Sequence, residues 1–232
     1  MSRAEVFADA DADADAAVAG VGDGATVLIG GFGTAGQPIE LIDALRRTGV
    51  RELTVVNNNA GNGDIGLAGL LKAGQVRKII CSFPRQSDSW VFDELYRSGR
   101  VELELVPQGT LAERLRAAGA GIGAFFCPTG VGTPLAEGKE VRTIDGREYL
   151  LEYPICGDIA LIKAHRADTV GNLVYRKTAR NFGPVMATAA ALTVAQVDEI
   201  GEPGSIDPEY VVTPGIFVDR IVRIAPRREA AG

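Results

Sequence analysis

The sequence predicts an α/β fold: a single open, mainly parallel sheet covered by helices on both faces, with an added antiparallel hairpin. Three observations carry that prediction. Short, continuous apolar runs alternate with amphipathic stretches over residues 27–126, the pattern of strands buried on both faces and joined by crossover helices. The first run, Val27-Leu28-Ile29, opens directly into a glycine-rich loop and then a proline. Further on, Asp145-Gly146 stands between two strand-like segments, the residue pair a two-residue hairpin turn prefers.

Taken in order, residues 8–17 alternate Ala and Asp. Neither residue favours a strand and no face would be apolar, so a solvated helix is expected, with Phe7, Ala14, Val18 and Val21 touching the body. Aspartates near a helix start suit its dipole. Strands are then expected at 27–29, 53–56, 78–81, 101–106 and 124–126, separated by helices at 39–47, 67–72, 90–97 and 111–118. The hairpin follows at 142–151, then strands at 159–163, 173–175 and 194–197 and a helix at 185–191. Nothing reads as a linker, so the expected organisation is an N-terminal acidic segment (1–22), one domain (23–226) and a polar, frayed tail from 227. In parallel sheets ligands bind at the carboxyl ends of strands, where the glycine loop, Asn58, Arg85 and Gln108 all fall.

Composition narrows the function classes. At 232 residues and 46% hydrophobic, the chain can bury the core of one sizeable domain. A net charge of −6 without a basic stripe argues against a nucleic-acid partner. Cys81, Cys127 and Cys156 are widely spaced and form no C-x-x-C pair, so neither a disulfide framework nor a metal site is expected, and a reducing cytoplasm is the natural setting. No signal peptide and no membrane span is read. His165 has no activated hydroxyl or thiol motif nearby and is expected to be structural.

Gly31, Gly33 and Gly36 satisfy the G-x-G-x-x-G fingerprint of dinucleotide-binding folds. A nicotinamide site also needs an acid at the end of the next strand, about 20 positions on. Here that strand ends in Asn57-Asn58-Asn59, and Asp64 comes late, which argues against an NAD-type oxidoreductase. The fuller pattern, Asp23-Gly24, the apolar run, Gly30-Gly31-Phe32-Gly33-Thr34-Ala35-Gly36 and Pro38, resembles the first signature of the class I CoA-transferases. The likeness continues through Asn58-Asn59-Ala60-Gly61-Asn62-Gly63, residues 81–88 and 106–114, Pro128-Thr129-Gly130 and residues 175–182. Over residues 23–223 the chain resembles the A (α) subunits of the 3-oxoacid CoA-transferases, most of all those acting on 3-oxoadipate in aromatic catabolism.

That resemblance implies an NagB/RpiA-like fold and a covalent relay through a glutamyl-CoA thioester. In the family the glutamate lies in a homologous second half near a Glu-Asn-Gly motif, which this sequence lacks. No catalytic residue is therefore expected in this chain; a B (β) subunit would supply it, in a heterotetramer of two A and two B chains. Coenzyme A and succinyl-CoA would be substrates, with no permanently bound cofactor. The resemblance places Gly30, Gly31, Phe32, Gly33, Thr34, Ala35 and Gly36 on the CoA side and Asn58 facing the acid. Gln108 would donate to the acid or support Asn58. Arg85 lies in a Phe-Pro-Arg-Gln-Ser-Asp stretch that acetoacetate-using relatives lack, and its guanidinium would hold a second substrate carboxylate; pairing with Asp88 at the surface is the alternative. Arg176, Lys177 and Arg180 would line CoA phosphates or the subunit interface. Two other readings stand beside 3-oxoadipate: an acetoacetate-using counterpart of the same A type, and a non-catalytic ligand sensor. The sensors of this fold carry a helix-turn-helix ahead of the domain, where this sequence has only about twenty residues.

Overall fold

The computed structural model describes residues 4–7 and 10–224. In chain order its elements are β1 (Glu5–Phe7), α1 (Ala10–Ala17), β2 (Thr26–Ile29), α2 (Ile39–Thr48), β3 (Leu53–Val56), α3 (Gly66–Lys72), β4 (Val76–Cys81), α4 (Trp90–Arg97), β5 (Glu102–Leu105) and α5 (Gln108–Gly119). They continue as β6 (Phe125–Cys127), β7 (Val141–Ile144), β8 (Arg147–Glu152), β9 (Gly157–Lys163), β10 (Arg166–Asp168) and β11 (Leu173–Val174). Last come α6 (Gly183–Ala187), β12 (Ala190–Val197), β13 (Glu199–Gly201) and β14 (Arg220–Arg223).

Eight strands form one sheet in the order β1-β14-β12-β9-β2-β3-β4-β5, with every neighbouring pair parallel. From β2 the chain steps outward through β3, β4 and β5, whereas β9, β12 and β14 build on the other side of β2. The winding reverses between β2 and β9, which opens a crevice at their carboxyl ends.

The apolar run of β2 explains its central place. Val27, Leu28 and Ile29 are all fully buried, and strand alternation sends them to opposite faces. Val27 and Ile29 join one core with Leu41, Ile42 and Leu45 of α2 and Leu67, Leu70 and Leu71 of α3. Leu28 joins the other with Leu111 and Leu115 of α5 and Met186 of α6. Each such side chain contributes about 1.5–3 kcal/mol by leaving water. Helix α2 stops at Gly49, whose left-handed backbone (φ 75°) turns its N–H back to the Arg46 carbonyl.

Several expectations are corrected. The segment foreseen as strand 124–126 of the parallel sheet is β6, which leaves that sheet and pairs antiparallel with β8 in a three-stranded β6-β8-β7 unit containing the foreseen hairpin. Its residues are only half-covered, whereas a central parallel strand buries both faces, and the Arg142 guanidinium lies 4.6 Å from the Phe126 ring. The foreseen helix 185–191 is the earlier α6, begun around Pro184, and Ala190 already belongs to β12. The short strands β1, β10, β13 and β14 were not foreseen. Strand β1 pairs with β14 and so ties the N-terminal segment into the sheet, while Ala14 and Val18 are buried and Phe7 and Val21 pack against the core. The tail from 227 lies outside the described residues.

At the β5 edge, Glu104 bonds Lys78 Nζ (2.6 Å) and Arg114 (2.8 Å). Burial alone would raise its pKa, but the two cations outweigh burial and hold it below the ordinary 4.5. A lowered folded-state pKa contributes stability that is present above the unfolded value and lost as pH falls through the folded one. Glu104→Gln should therefore lower the thermal unfolding midpoint near neutral pH, and its deficit should shrink as the pH drops below about 4.5. A deficit that did not change with pH would assign the loss to packing.

Candidate functional site

The carboxyl ends of β2, β3, β4 and β5 lie side by side at the crevice, and each delivers one loop. After β3 the three asparagines divide their work. Asn57, fully buried, donates from Nδ2 to the Ile29 carbonyl (2.6 Å) and accepts from the Asn59 N–H (2.9 Å). Asn59, also fully buried, accepts from the Gly61 N–H (2.9 Å). These two side chains brace the turn, as short amides do. Asn58 between them turns to the crevice.

Its Oδ1 accepts from Ser82 Oγ after β4 (2.7 Å) and from Gln108 Nε2 at the start of α5 (2.8 Å). With its carbonyl end taken, Asn58 keeps Nδ2 as a donor without a partner among the described residues. Such a fixed donor can hold a carboxylate or a carbonyl oxygen on which charge develops. Gln108 thus meets Asn58, and the cluster contains no carboxylate or hydroxyl–base pair. Cys81, at the end of β4, is fully buried and its thiol is pushed up to about 12 by burial, which leaves it protonated and unreactive at neutral pH.

The glycine loop folds back as a tight hairpin in which Phe32 and Ala35 exchange backbone bonds (3.0 and 3.1 Å). Asn181 clamps it from the other half of the chain, accepting from the Gly31 N–H (3.1 Å) and donating to the Ala35 carbonyl (3.0 Å). Gly36 has φ 76°, and a Cβ there would stand 2.7 Å from the Ala179 carbonyl oxygen. Pro38 occupies the N-cap of α2, one position earlier than the first helical turn expected for it. Gly36 therefore packs against another segment and is not the helix-opening glycine of a dinucleotide fold.

Arg85 follows β4 on the same edge, but its side chain is exposed and its Nε bonds Asp93 of α4 (2.7 Å); it does not pair with Asp88. Gln86 beside it accepts from Asn62 and lies against Gly33. His165, at the end of β9, pairs with Asp198 at the end of β12 (3.0 Å). Asn181, Ser82, Asn57 and Asn59 were missed as site residues. The Asn-Asn-Asn run was a visible signal for the last two, but the bonds of Asn181 to Gly31 and Ala35 span about 150 residues, which no local pattern encodes.

A family model described as coenzyme A transferase matches residues 12–223. The chain belongs to the coenzyme A transferase family. It is 66% identical over 206 residues to the A subunit of 3-oxoadipate CoA-transferase from Pseudomonas putida, covering 89% of each chain. It is 55% identical over 202 residues to the A subunit of succinyl-CoA:3-ketoacid coenzyme A transferase from Xanthomonas campestris, covering 87% of this chain and 83% of that one. Among solved structures, the acyl-CoA transferase apoenzyme of Escherichia coli O157:H7 superposes with a TM-score of 0.82 at 25% identity over 96% of this chain. This chain spans about half of that one, 47%.

For this coenzyme A transferase chain, Gly36→Ala should lower stability by at least about 1 kcal/mol, because the left-handed backbone penalises a Cβ even before the Ala179 carbonyl is displaced. Thermal unfolding reads it. A variant as stable as the parent would show that the two segments separate freely.

Proposed function

We propose that this protein is the A component of a two-component CoA-transferase that moves CoA from succinyl-CoA to a 3-oxo acid, 3-oxoadipate in preference to acetoacetate. The greater identity to the 3-oxoadipate relative than to the 3-ketoacid relative carries that preference. The half-length match to a single-chain acyl-CoA transferase supports a second, B subunit, and with it a heterotetramer of two A and two B chains.

In this reading a glutamate supplied by the B partner attacks the succinyl-CoA carbonyl and CoA leaves as thiolate, giving an acyl-glutamyl anhydride. The thiolate then attacks the glutamyl carbonyl, releasing succinate and leaving a glutamyl-CoA thioester. The acceptor carboxylate repeats the two steps in reverse order, and the glutamate is regenerated. Covalent division of one hard exchange into easier steps is the reason for a carboxylate nucleophile. The present chain holds the acid: Asn58 Nδ2 donates to the reacting carboxyl group, while Gln108 and Ser82 fix the orientation of Asn58. Arg85 exchanges Asp93 for the acid's distal carboxylate, and the glycine loop flanks the thioester.

Purified alone, the chain should transfer no CoA, and adding the cognate B subunit should restore turnover. Borohydride trapping after incubation with succinyl-CoA should mark a glutamate on the B partner; a mark on this chain would overturn the assignment.

Within the complex, Asn58→Ala should lower kcat/KM by about 10- to 1,000-fold, the scale of one lost oxyanion donor, and Gln108→Ala by less, since it acts through Asn58. Arg85→Ala should cost 3-oxoadipate about tenfold and acetoacetate little, as expected for one charge-assisted bond to the distal carboxylate. Equal losses on both acids would remove Arg85 from acid recognition.

A further inference from the structure

The 3-10 turn Lys177–Arg180 follows β11 and carries Arg176, Lys177 and Arg180 within five residues, all exposed. None of the three has an acidic partner among the described residues, whereas Arg85, Arg100 and Arg114 each stand against a carboxylate. In a chain of net charge −6 this is a local field of opposite sign. The turn is fastened to the glycine loop: Asn181 grips Gly31 and Ala35, and Gly36 abuts Ala179. Within the loop the N–H groups of Gly33, Thr34 and Gly36 have no partner among the described residues, so donors and cations lie together. Lys177 itself holds φ 52°, a backbone conformation L residues rarely adopt.

We propose that Arg176, Lys177 and Arg180 form the anchoring site for the phosphate end of the CoA substrate, with the pantetheine arm crossing the glycine loop toward Asn58. The inference rests on the CoA-transferase reading. Two planar guanidinium forks and one ammonium match a pyrophosphate and a 3′-phosphate, the forks bidentately and the lysine as a point charge. The path follows from the fold: the turn touches the loop that ends β2, and the adjacent β3 carries Asn58. The acid has no group that needs three cations, so the site serves the thioester alone.

The test uses the complex with the B partner, assayed with succinyl-CoA and with succinyl-pantetheine, which lacks the nucleotide. Arg176→Ala, Lys177→Ala and Arg180→Ala should each raise KM for succinyl-CoA by about tenfold, the effect of one exposed charge-assisted bond. Each should cut the preference for succinyl-CoA over succinyl-pantetheine by a similar factor, and the 3′-dephospho thioester should fall between. Titration calorimetry with CoA itself reads the same contacts without turnover. Equal losses on both thioesters, loss of co-elution with the B partner, or unchanged CoA affinity in the triple variant would overturn the anchoring site. A parent complex that binds CoA through these residues yet transfers none would retain the site and discard the transferase reading.

Discussion

The ligand edge depends on the parting of β2 and β9. Along their length the two strands are locked in parallel register, Val27 against Ile159 and Ile29 against Leu161, and the last shared bond runs from the Gly30 N–H to the Leu161 carbonyl (2.9 Å). Beyond it the chains must diverge, because one leads to α2 on one face and the other to the short β10. The gap exposes main-chain donors that no strand satisfies. Every polar element nearby, from the asparagine turn to Asn181, is arranged around that deficit.

The asparagine turn shows how a polar site is kept rigid inside an apolar frame. Two amides are fully buried and spent on backbone, so the third is presented from a turn that cannot relax. A buried amide without its bonds would cost about 1–3 kcal/mol, which makes misplacement of the turn expensive. Asn58 is then held at its carbonyl by donors from the ends of β4 and β5, so three successive strands fix one side chain. Directional precision here comes from sheet register, which side-chain flexibility cannot blur.

Much of this was legible in the sequence, for identifiable reasons. The run Val27-Leu28-Ile29 has the unbroken apolarity only a central parallel strand tolerates, and Asp145-Gly146 is nearly a turn by itself. Asn58, Gln108 and the glycine loop stood at predicted strand ends, so topology alone brought them together. Strands β1 and β14 were not readable, since a three- or four-residue strand has too few positions to show a period, and their partnership joins opposite ends of the chain. Phe125 and Phe126 looked like core but serve an antiparallel satellite, because apolarity reports burial and says nothing about which sheet supplies it. The Arg85–Asp93 pair joins a loop to the next helix, and charge pattern alone favoured the nearer Asp88.

The ion cluster of Lys78, Glu104 and Arg114, with Arg77 and Glu102 beside it, sits along the strand that ends the eight-stranded sheet. A parallel sheet of this size offers its last strand as a template for any other extended chain. Docking there would strip water from five charges that already satisfy one another. The same groups that tune one carboxyl therefore make this border a poor seed for fibrils.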